Sequence, residues 1–392
     1  MRKLLNMLIY WIDCVIPKKE NQFSFSSFPD ISDNSYVMFK YLFKSMPGIN
    51  VVWLLTDTTK TNSYYGQIQE DMLLEDEEMK RITFIKKNSF HGLVSYMMSK
   101  YVFYTHGLYP QLKYTKSHIL INLWHGMPLK KIGFLLDENN KNMPKANFIV
   151  STSPFFQQIM MKVFKQEKNE ILVSGQPRND LLFETNGSLK KFNINKKQYK
   201  KVFLWTPTFR QTITDISLID GNSFIGLPIV SNDYEALNSH LEKLNSYMII
   251  KLHPMDILNN DNFDSYTNLL FLRNVDMEKE SCQLNTLLGE VDVLITDFSS
   301  IYIDYLLLNR PIGFAMDDLE TYKSSRGFVV DNPEEYMPGE FISTKESFMI
   351  FLENCTKDID MYKSRREEIN DLFNTNKRNF SKILWEQIIE RT

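Results

Sequence analysis
The sequence predicts an α/β protein built from two doubly wound, Rossmann-like lobes, and three observations carry that prediction. Short apolar, β-rich runs alternate with helix-compatible stretches, the rhythm is interrupted once by a polar lysine-rich segment, and chemistry-bearing residues stand just after the apolar runs. The first set of runs covers 51–55, 82–85, 101–104, 119–123, 148–150 and 171–173. Their continuous apolar character suits parallel strands covered on both faces. The stretch from Thr185 through Lys200-Lys201 has little apolar periodicity and is expected to be a linker. Beyond it come strands at 202–205, 247–252, 269–272, 291–296 and 311–314, with helices over 233–246, near 283–288 and from Ser299 or Ser300. The charged stretch 345–391 is helical in pattern and is expected to pack outside the second sheet and reach back to the first. At roughly 150 residues per domain, 392 residues suit two lobes. The expected division is a possible membrane-surface helix over 1–19, an acceptor-side lobe over 20–190, a donor-binding lobe over 200–365 and a C-terminal helix over 366–392 packing across the lobes.

The 45 Lys and Arg against 48 Asp and Glu leave a net charge of −3, which argues against a general nucleic-acid binder. Cys14, Cys282 and Cys355 lie far apart with no C-x-x-C pair, so reduced thiols in a cytosolic protein are expected rather than a disulfide framework or zinc finger. The N-terminal apolar stretch 4–16 is broken by Asn6 and Asp13, lacks a small-x-small cleavage site and is too short to span a bilayer. Leu4, Leu5, Leu8, Ile9, Ile12, Val15 and Ile16 nevertheless recur at helical spacing between Arg2-Lys3 and Lys18-Lys19. Such a helix either lies in a membrane interface or packs on the protein's own core.

In open parallel sheets, ligands sit beyond the carboxyl ends of the strands, so the residues after each run are the place for chemistry. After 119–123 comes Trp124-His125-Gly126-Met127-Pro128-Leu129-Lys130-Lys131. His125 suits a general base near a phosphate-bearing substrate, since imidazole titrates near neutral pH and Gly126 admits close approach; a hydrogen-bonded structural histidine is the alternative. After 171–173, Gly175-Gln176-Pro177-Arg178-Asn179-Asp180 is turn chemistry that presents Arg178, or else caps a helix. Thr206-Pro207-Thr208-Phe209-Arg210 and Lys251-Leu252-His253-Pro254 place Thr208, Arg210 and His253 at two further strand ends, where Arg binds phosphate bidentately. Asp297-Phe298-Ser299-Ser300 ends a buried strand and opens a helix, an anion-binding arrangement or a plain N-cap. Arg326-Gly327-Phe328 offers a second cation. There is no G-x-G-x-x-G, Walker A or H-E-x-x-H pattern, which argues against dinucleotide redox chemistry, P-loop transfer and zincin hydrolysis. Asp317-Asp318 lacks the spacer usual in a metal carboxylate pair.

Taken in order, these six motifs, with Asp33-Asn34-Ser35 near the start, resemble the CDP-glycerol glycerophosphotransferases of teichoic acid synthesis over roughly residues 20–380. The resemblance implies a glycosyltransferase-B fold with the donor site in the cleft between the lobes. It also implies a CDP-glycerol or CDP-ribitol donor, a polyprenyl-diphosphate-linked saccharide or growing polymer as acceptor, and a cytoplasmic enzyme peripheral on the inner face of the membrane. By position, His125 looks like the base on the acceptor hydroxyl. His253, the second catalytic residue beside His125, looks like part of the donor phosphate clamp with Arg210, Thr208, Ser299, Ser300 and Arg326, with Asp297, Gly126, Arg178 and Asn179 supporting. No cofactor is required on this reading; Mg²⁺ on the donor phosphates is compatible with it but is not indicated by a ligand cluster. Met127, Phe298 and Phe209 depart from residues common in the family. The rivals are a UDP-sugar glycosyltransferase or epimerase of the same fold, and a binding relative without turnover.

Overall fold
Every apolar run named above becomes a parallel strand, and the two sets form two sheets. The computed structural model describes residues 2–110, 112, 115, 117–138, 140, 143–144, 146–184, 187–207, 228–252, 266–316 and 327–392. The first sheet holds β1 (Lys19–Ser26), β2 (Asn50–Leu55), β3 (Ile82–Lys86), β4 (Ser99–Tyr104), β5 (Ile119–Asn122), β6 (Phe148–Ser151) and β7 (Ile171–Val173), in the order β3-β2-β1-β4-β5-β6-β7. The second holds β8 (Val202–Trp205), β9 (Tyr247–Lys251), β10 (Leu269–Leu272), β11 (Val293–Thr296), β12 (Ile312–Ala315) and β13 (Glu340–Ile342), in the order β10-β9-β8-β11-β12-β13. Both orders reverse direction beside their first strand, between β1 and β4 and between β8 and β11. Doubly wound sheets bind ligands at this switch point.

The central strand β1 was not among the expected runs, because Lys-Glu-Asn-Gln-Phe-Ser-Phe-Ser alternates instead of reading as continuously apolar. Lys19, Glu20 and Asn21 are exposed, while the polar side chains of Gln22, Ser24 and Ser26 are buried but bonded. Gln22 Nε2 donates to Ser99 Oγ at 3.0 Å, the Ser24 and Ser99 hydroxyls lie 2.7 Å apart, and Ser26 Oγ donates to Leu54 O at 3.2 Å. Satisfied hydroxyls of this kind escape the penalty of a bare buried polar group. On the opposite face, Phe25 packs 5.4 Å from Trp53 and 5.2 Å from Phe103, and Phe23 lies 5.8 Å from Trp385. Each fully buried Phe contributes about 1.5–3 kcal/mol. In the second sheet Trp205 packs 4.8 Å from Phe348 within a separate core that includes Phe203, Ile250 and Ile295.

The chain divides into two compact units: Met1–Met127 with Ile132–Asp180 and Thr375–Thr392, and Pro128–Lys131 with Leu181–Asn374. The segment expected to be a linker is built into the second unit. Ser188 N and Leu189 N donate to the Glu290 carboxylate at 2.8 and 2.9 Å, and Leu189 and Ile194 are buried. A cap supplied from a hundred residues away leaves no trace in local periodicity. Residues 366–392 do not form one helix: Lys363–Phe373 lies in the second unit and Phe380–Ile389 in the first.

Helix α1 (Arg2–Val15) turns its amphipathic pattern outward. Leu4, Met7, Leu8, Trp11, Ile12 and Val15 are exposed, while Asp13 is buried. The Asp13 carboxylate accepts from Lys18 Nζ at 2.6 Å and Thr115 Oγ1 at 3.0 Å, and lies 3.5 Å from His118 Nε2. Leu4, Leu8, Ile12 and Val15 of the apolar stripe therefore face away from this chain's own core, Ile9 and Ile16 are half-buried, and a polar anchor holds the helix in place. No helix among the described residues is long and apolar enough to cross a membrane. All three cysteines are free, Cys282 and Cys355 buried and Cys14 exposed.

Gly175, at the end of β7, has φ +81°, and an added Cβ would stand 2.3 Å from a ring carbon of Phe380. Gly187 has φ +73° with only a lysine carbon at 3.7 Å. Gly175→Ala is expected to destabilise by about 2–4 kcal/mol from strain plus overpacking, and Gly187→Ala by about 1–2 kcal/mol from backbone strain alone. Thermal or urea unfolding of the two variants measures the difference.

Candidate active site
Four strand ends of the first sheet bring their following residues to one place. After β1 the chain passes through Ile31 and Asp33, both at positive φ, and enters helix α2 (Asp33–Ser45), tied back to β1 by Ser35 Oγ donating to Ser26 O at 2.8 Å. After β5 the chain meets Trp124, a bulky residue at φ +55°, then His125 and Gly126 at φ +142°. Such a conformation costs a non-glycine residue about 1–3 kcal/mol and persists only where the surroundings enforce it. Here both ends of Trp124 are pinned: its N donates to Asn122 Oδ1 at 3.0 Å, and its O accepts from Asn34 Nδ2 at 2.9 Å.

The other end of the same Asn34 amide holds the turn after β7, where Oδ1 accepts from Arg178 N at 2.9 Å. The Arg178 guanidinium then reaches Asp33 Oδ1 and His125 O, each at 3.0 Å, and Gln176 Oε1 at 3.2 Å. Asp180 is a helix cap rather than a cleft residue. Its carboxylate accepts from Phe380 N, Ser381 N and Ser381 Oγ at 2.9, 3.0 and 2.6 Å, and burial pushes its pKa up. Asn179 is buried in the turn, its N donating to Gln176 O at 3.0 Å.

His125 keeps a solvent-exposed edge. Its Nδ1 lies 3.4 Å from Thr105 O, and a carbonyl only accepts, so Nδ1 carries the hydrogen and Nε2 is the basic position. The protein packed around the ring lowers its pKa, the Asp33 carboxylate and the Thr105 contact oppose that shift, and Arg178 adds to it. The net direction favours neutral imidazole at pH 7. The ring of His106, the residue after Thr105, stacks on His125 with centroids 4.3 Å apart and planes within 8°. Trp124 packs against His125 at 4.1 Å. Thr105, His106 and Asn34 were not among the expected site residues. Only Asn34 left a sequence signal, in the Asp33-Asn34-Ser35 motif.

The second unit gathers another group at its own switch point. Thr206 follows β8 and Thr296 ends β11, and their hydroxyls are 3.1 Å apart. Asp297 and Phe298 are buried, and Phe298 packs 5.7 Å from Phe328. Lys131 N donates to Gly327 O at 3.2 Å and Val329 N to Leu129 O at 2.8 Å, so three separated motifs meet. The helix after Ser299-Ser300 runs over Ile301–Tyr305, and Ser300 makes no side-chain cap. Ser299 Oγ accepts from Ile301 N at 3.5 Å. A helix of five residues has a weak dipole, so any anion grip here rests on the hydroxyls and turn amides. Thr208, Phe209, Arg210, His253, Asp317, Asp318 and Arg326 lie outside the described residues. Among the described residues no three His, Cys, Asp or Glu side chains converge on a common point.

The chain is similar to a teichoic acid glycerol-phosphate transferase of Staphylococcus aureus (strain NCTC 8325 / PS 47), 29% identical over 272 residues, 64% of this chain and 63% of that protein. It is also similar to the teichoic acid ribitol-phosphate polymerase TarL of the same strain, 27% identical over 336 residues, 78% of this chain and 57% of that protein. The chain thus spans about three fifths of the length of these relatives. Its fold matches a structure of the wall teichoic acid polymerase TagF with a TM-score of 0.75 at 21% identity, covering 98% of this chain and 92% of that one. The family model described as CDP-glycerol:poly(glycerophosphate) glycerophosphotransferase matches residues 8–385, nearly the whole sequence, and the chain belongs to that family.

Proposed function
We propose that this chain transfers an alditol phosphate, glycerol phosphate in the first instance, from a CDP-alditol to a hydroxyl of a lipid-linked saccharide or growing polymer, releasing CMP. The observation that carries the reading is the presentation of His125: an exposed imidazole, biased toward the neutral form, with Nδ1 on a backbone carbonyl and Nε2 as the base. In the proposed step, Nε2 takes the proton of the acceptor hydroxyl and that oxygen bonds to the phosphorus bearing the glycerol. The bond from that phosphorus to the bridging oxygen breaks, and CMP leaves with the electron pair. Positioning and countercharge do most of the work in phosphoryl transfer. The reading assigns the countercharge to Arg210, His253 and Arg326, with Thr208, Ser299 and Ser300 donating hydrogen bonds, and gives Asp297, Gly126, Arg178 and Asn179 supporting roles. CDP-ribitol is the second donor reading, favoured by the similarity to a ribitol-phosphate polymerase. The exposed stripe of α1 supports a peripheral place on a membrane, where a lipid-linked acceptor resides.

The purified chain, offered CDP-glycerol and CDP-ribitol separately with a lipid-linked disaccharide, is expected to release CMP from one of them, and His125→Ala to lose about 10²–10⁴-fold in rate. Release from neither donor, with turnover of a UDP-sugar, overturns the reading. A base must be unprotonated to act, and the surroundings lower the His125 pKa. The acid limb of the pH–rate profile is therefore expected below the ordinary imidazole value of 6.5, with activity lost as pH falls through it.

Deleting residues 1–19 would also remove the Asp13–Lys18 anchor, so the membrane test uses point changes on the exposed face. Flotation with anionic vesicles is expected to carry the native chain and to lose the Leu8→Glu, Trp11→Glu double variant. Equal flotation of both excludes the helix as the membrane contact.

A further inference from the structure
Stacked on the base is another imidazole, His106, that the proposed reaction leaves without a task. We infer that His106 is the positioning residue of the His125 base, its stacked ring fixing the plane of the His125 imidazole and shielding one side of it from water. The inference rests on the reading of His125 as base.

Three observations support it. The rings are 4.3 Å apart at 8°, a parallel stack that restricts rotation of His125 about its last side-chain torsion. The dipeptide Thr105-His106 supplies both restraints, since the Thr105 carbonyl fixes the tautomer while the next side chain fixes the plane. His106 is itself held: Nδ1 lies 2.9 Å from Thr105 Oγ1, and the Phe28 ring meets it edge-on at 5.7 Å.

The electrostatics agree with that geometry. The charged and titratable groups that act on the pair are Asp33, Lys87 and Arg178. Burial first, and then the neighbouring His125, push the His106 pKa down to about 4, against the pull of Asp33. His106 therefore stays neutral over the working pH range, and the pair has one proton to accept, at His125. Two protonated rings this close would repel, whereas a neutral partner leaves His125 free to become imidazolium in the reaction. Removing the His106 ring exposes His125 to water, relieves the desolvation that depresses its pKa and moves that pKa upward. Because the base works deprotonated, the acid limb of the rate profile then moves to higher pH.

The experiment follows CMP release from CDP-glycerol, or from CDP-ribitol if that is the donor used, with the lipid-linked acceptor from about pH 5 to 9. It uses the full chain and its His106→Ala, His106→Asn, His106→Phe and His125→Ala variants, with folding checked by thermal melting. For His106→Ala the expected result is a fall in kcat of about tenfold or more, a donor KM within about twofold, and an acid limb raised by about half a pH unit or more. His106→Asn, which keeps a polar group beside Thr105 but no ring, is expected to behave alike and carries the test if the alanine variant melts early. His106→Phe restores the ring and is expected to recover most of kcat and the native limb. An acid limb that does not move in the alanine and asparagine variants, or a phenylalanine variant as impaired as the alanine one, overturns the inference. Loss of activity in His125→Ala alone leaves the base reading intact and removes His106 from it; full activity in His125→Ala removes both.

Discussion
The side-chain amide of Asn34 is the interaction on which the arrangement of the first unit depends. It is fully buried, and its two ends are committed to different strand ends, Nδ2 to Trp124 O after β5 and Oδ1 to Arg178 N after β7. The left-handed conformation of Trp124 costs about 1–3 kcal/mol, while a single hydrogen bond returns about 0.5–1.5 kcal/mol net. One bond does not hold that backbone; the bonds from Asn122 and Asn34 together do. With Trp124 fixed, the direction of His125 follows, and Arg178 closes the loop by gripping His125 O and Asp33.

Strain and buried polar groups sit together at the switch point of the sheet, where parallel strands diverge and backbone groups are left for turns to satisfy. Ile31, Asp33 and Trp124 all have positive φ there, and the strand beside them, β1, buries serines and a glutamine in a hydrogen-bonded row. The second unit repeats the plan. Thr206 and Thr296 bond across the ends of β8 and β11, and the turn after them packs Phe298 on Phe328. In each unit the core fixes the strands and a few polar bonds fix what emerges from them, which is how a scaffold holds functional side chains in place.

Most of the strands were legible because fully buried parallel strands are continuous apolar runs. The exceptions have physical causes. β1 alternates because one of its faces is satisfied by hydroxyls, and β13 is a three-residue edge strand, Glu340–Ile342, too short for any periodicity. The segment after Thr185 read as a linker because its cap, Glu290, is distant in sequence. Among the candidate residues, His125 and Arg178 of the first unit and the Asp297–Ser300 turn of the second stood out by residue type and position after a strand. His106 and Thr105 did not, since a Thr-His pair after a strand has no distinguishing spacing and gains meaning only when β4 and β5 pair side by side. Asn34 showed itself only within a short motif, and its double role comes from joining turns ninety and more residues away.

Asn34→Asp is the most direct test of this account. It preserves size and keeps an acceptor for Arg178 N, but it replaces the donor to Trp124 O with an oxygen. The measurement is CMP release at saturating donor and acceptor, together with the donor KM. If Asn34 fixes the direction of the base, kcat falls by about 10²-fold or more while the KM stays within about threefold and the protein remains folded. An Asn34→Asp enzyme with native kcat would contradict the claim that this amide sets the geometry of His125.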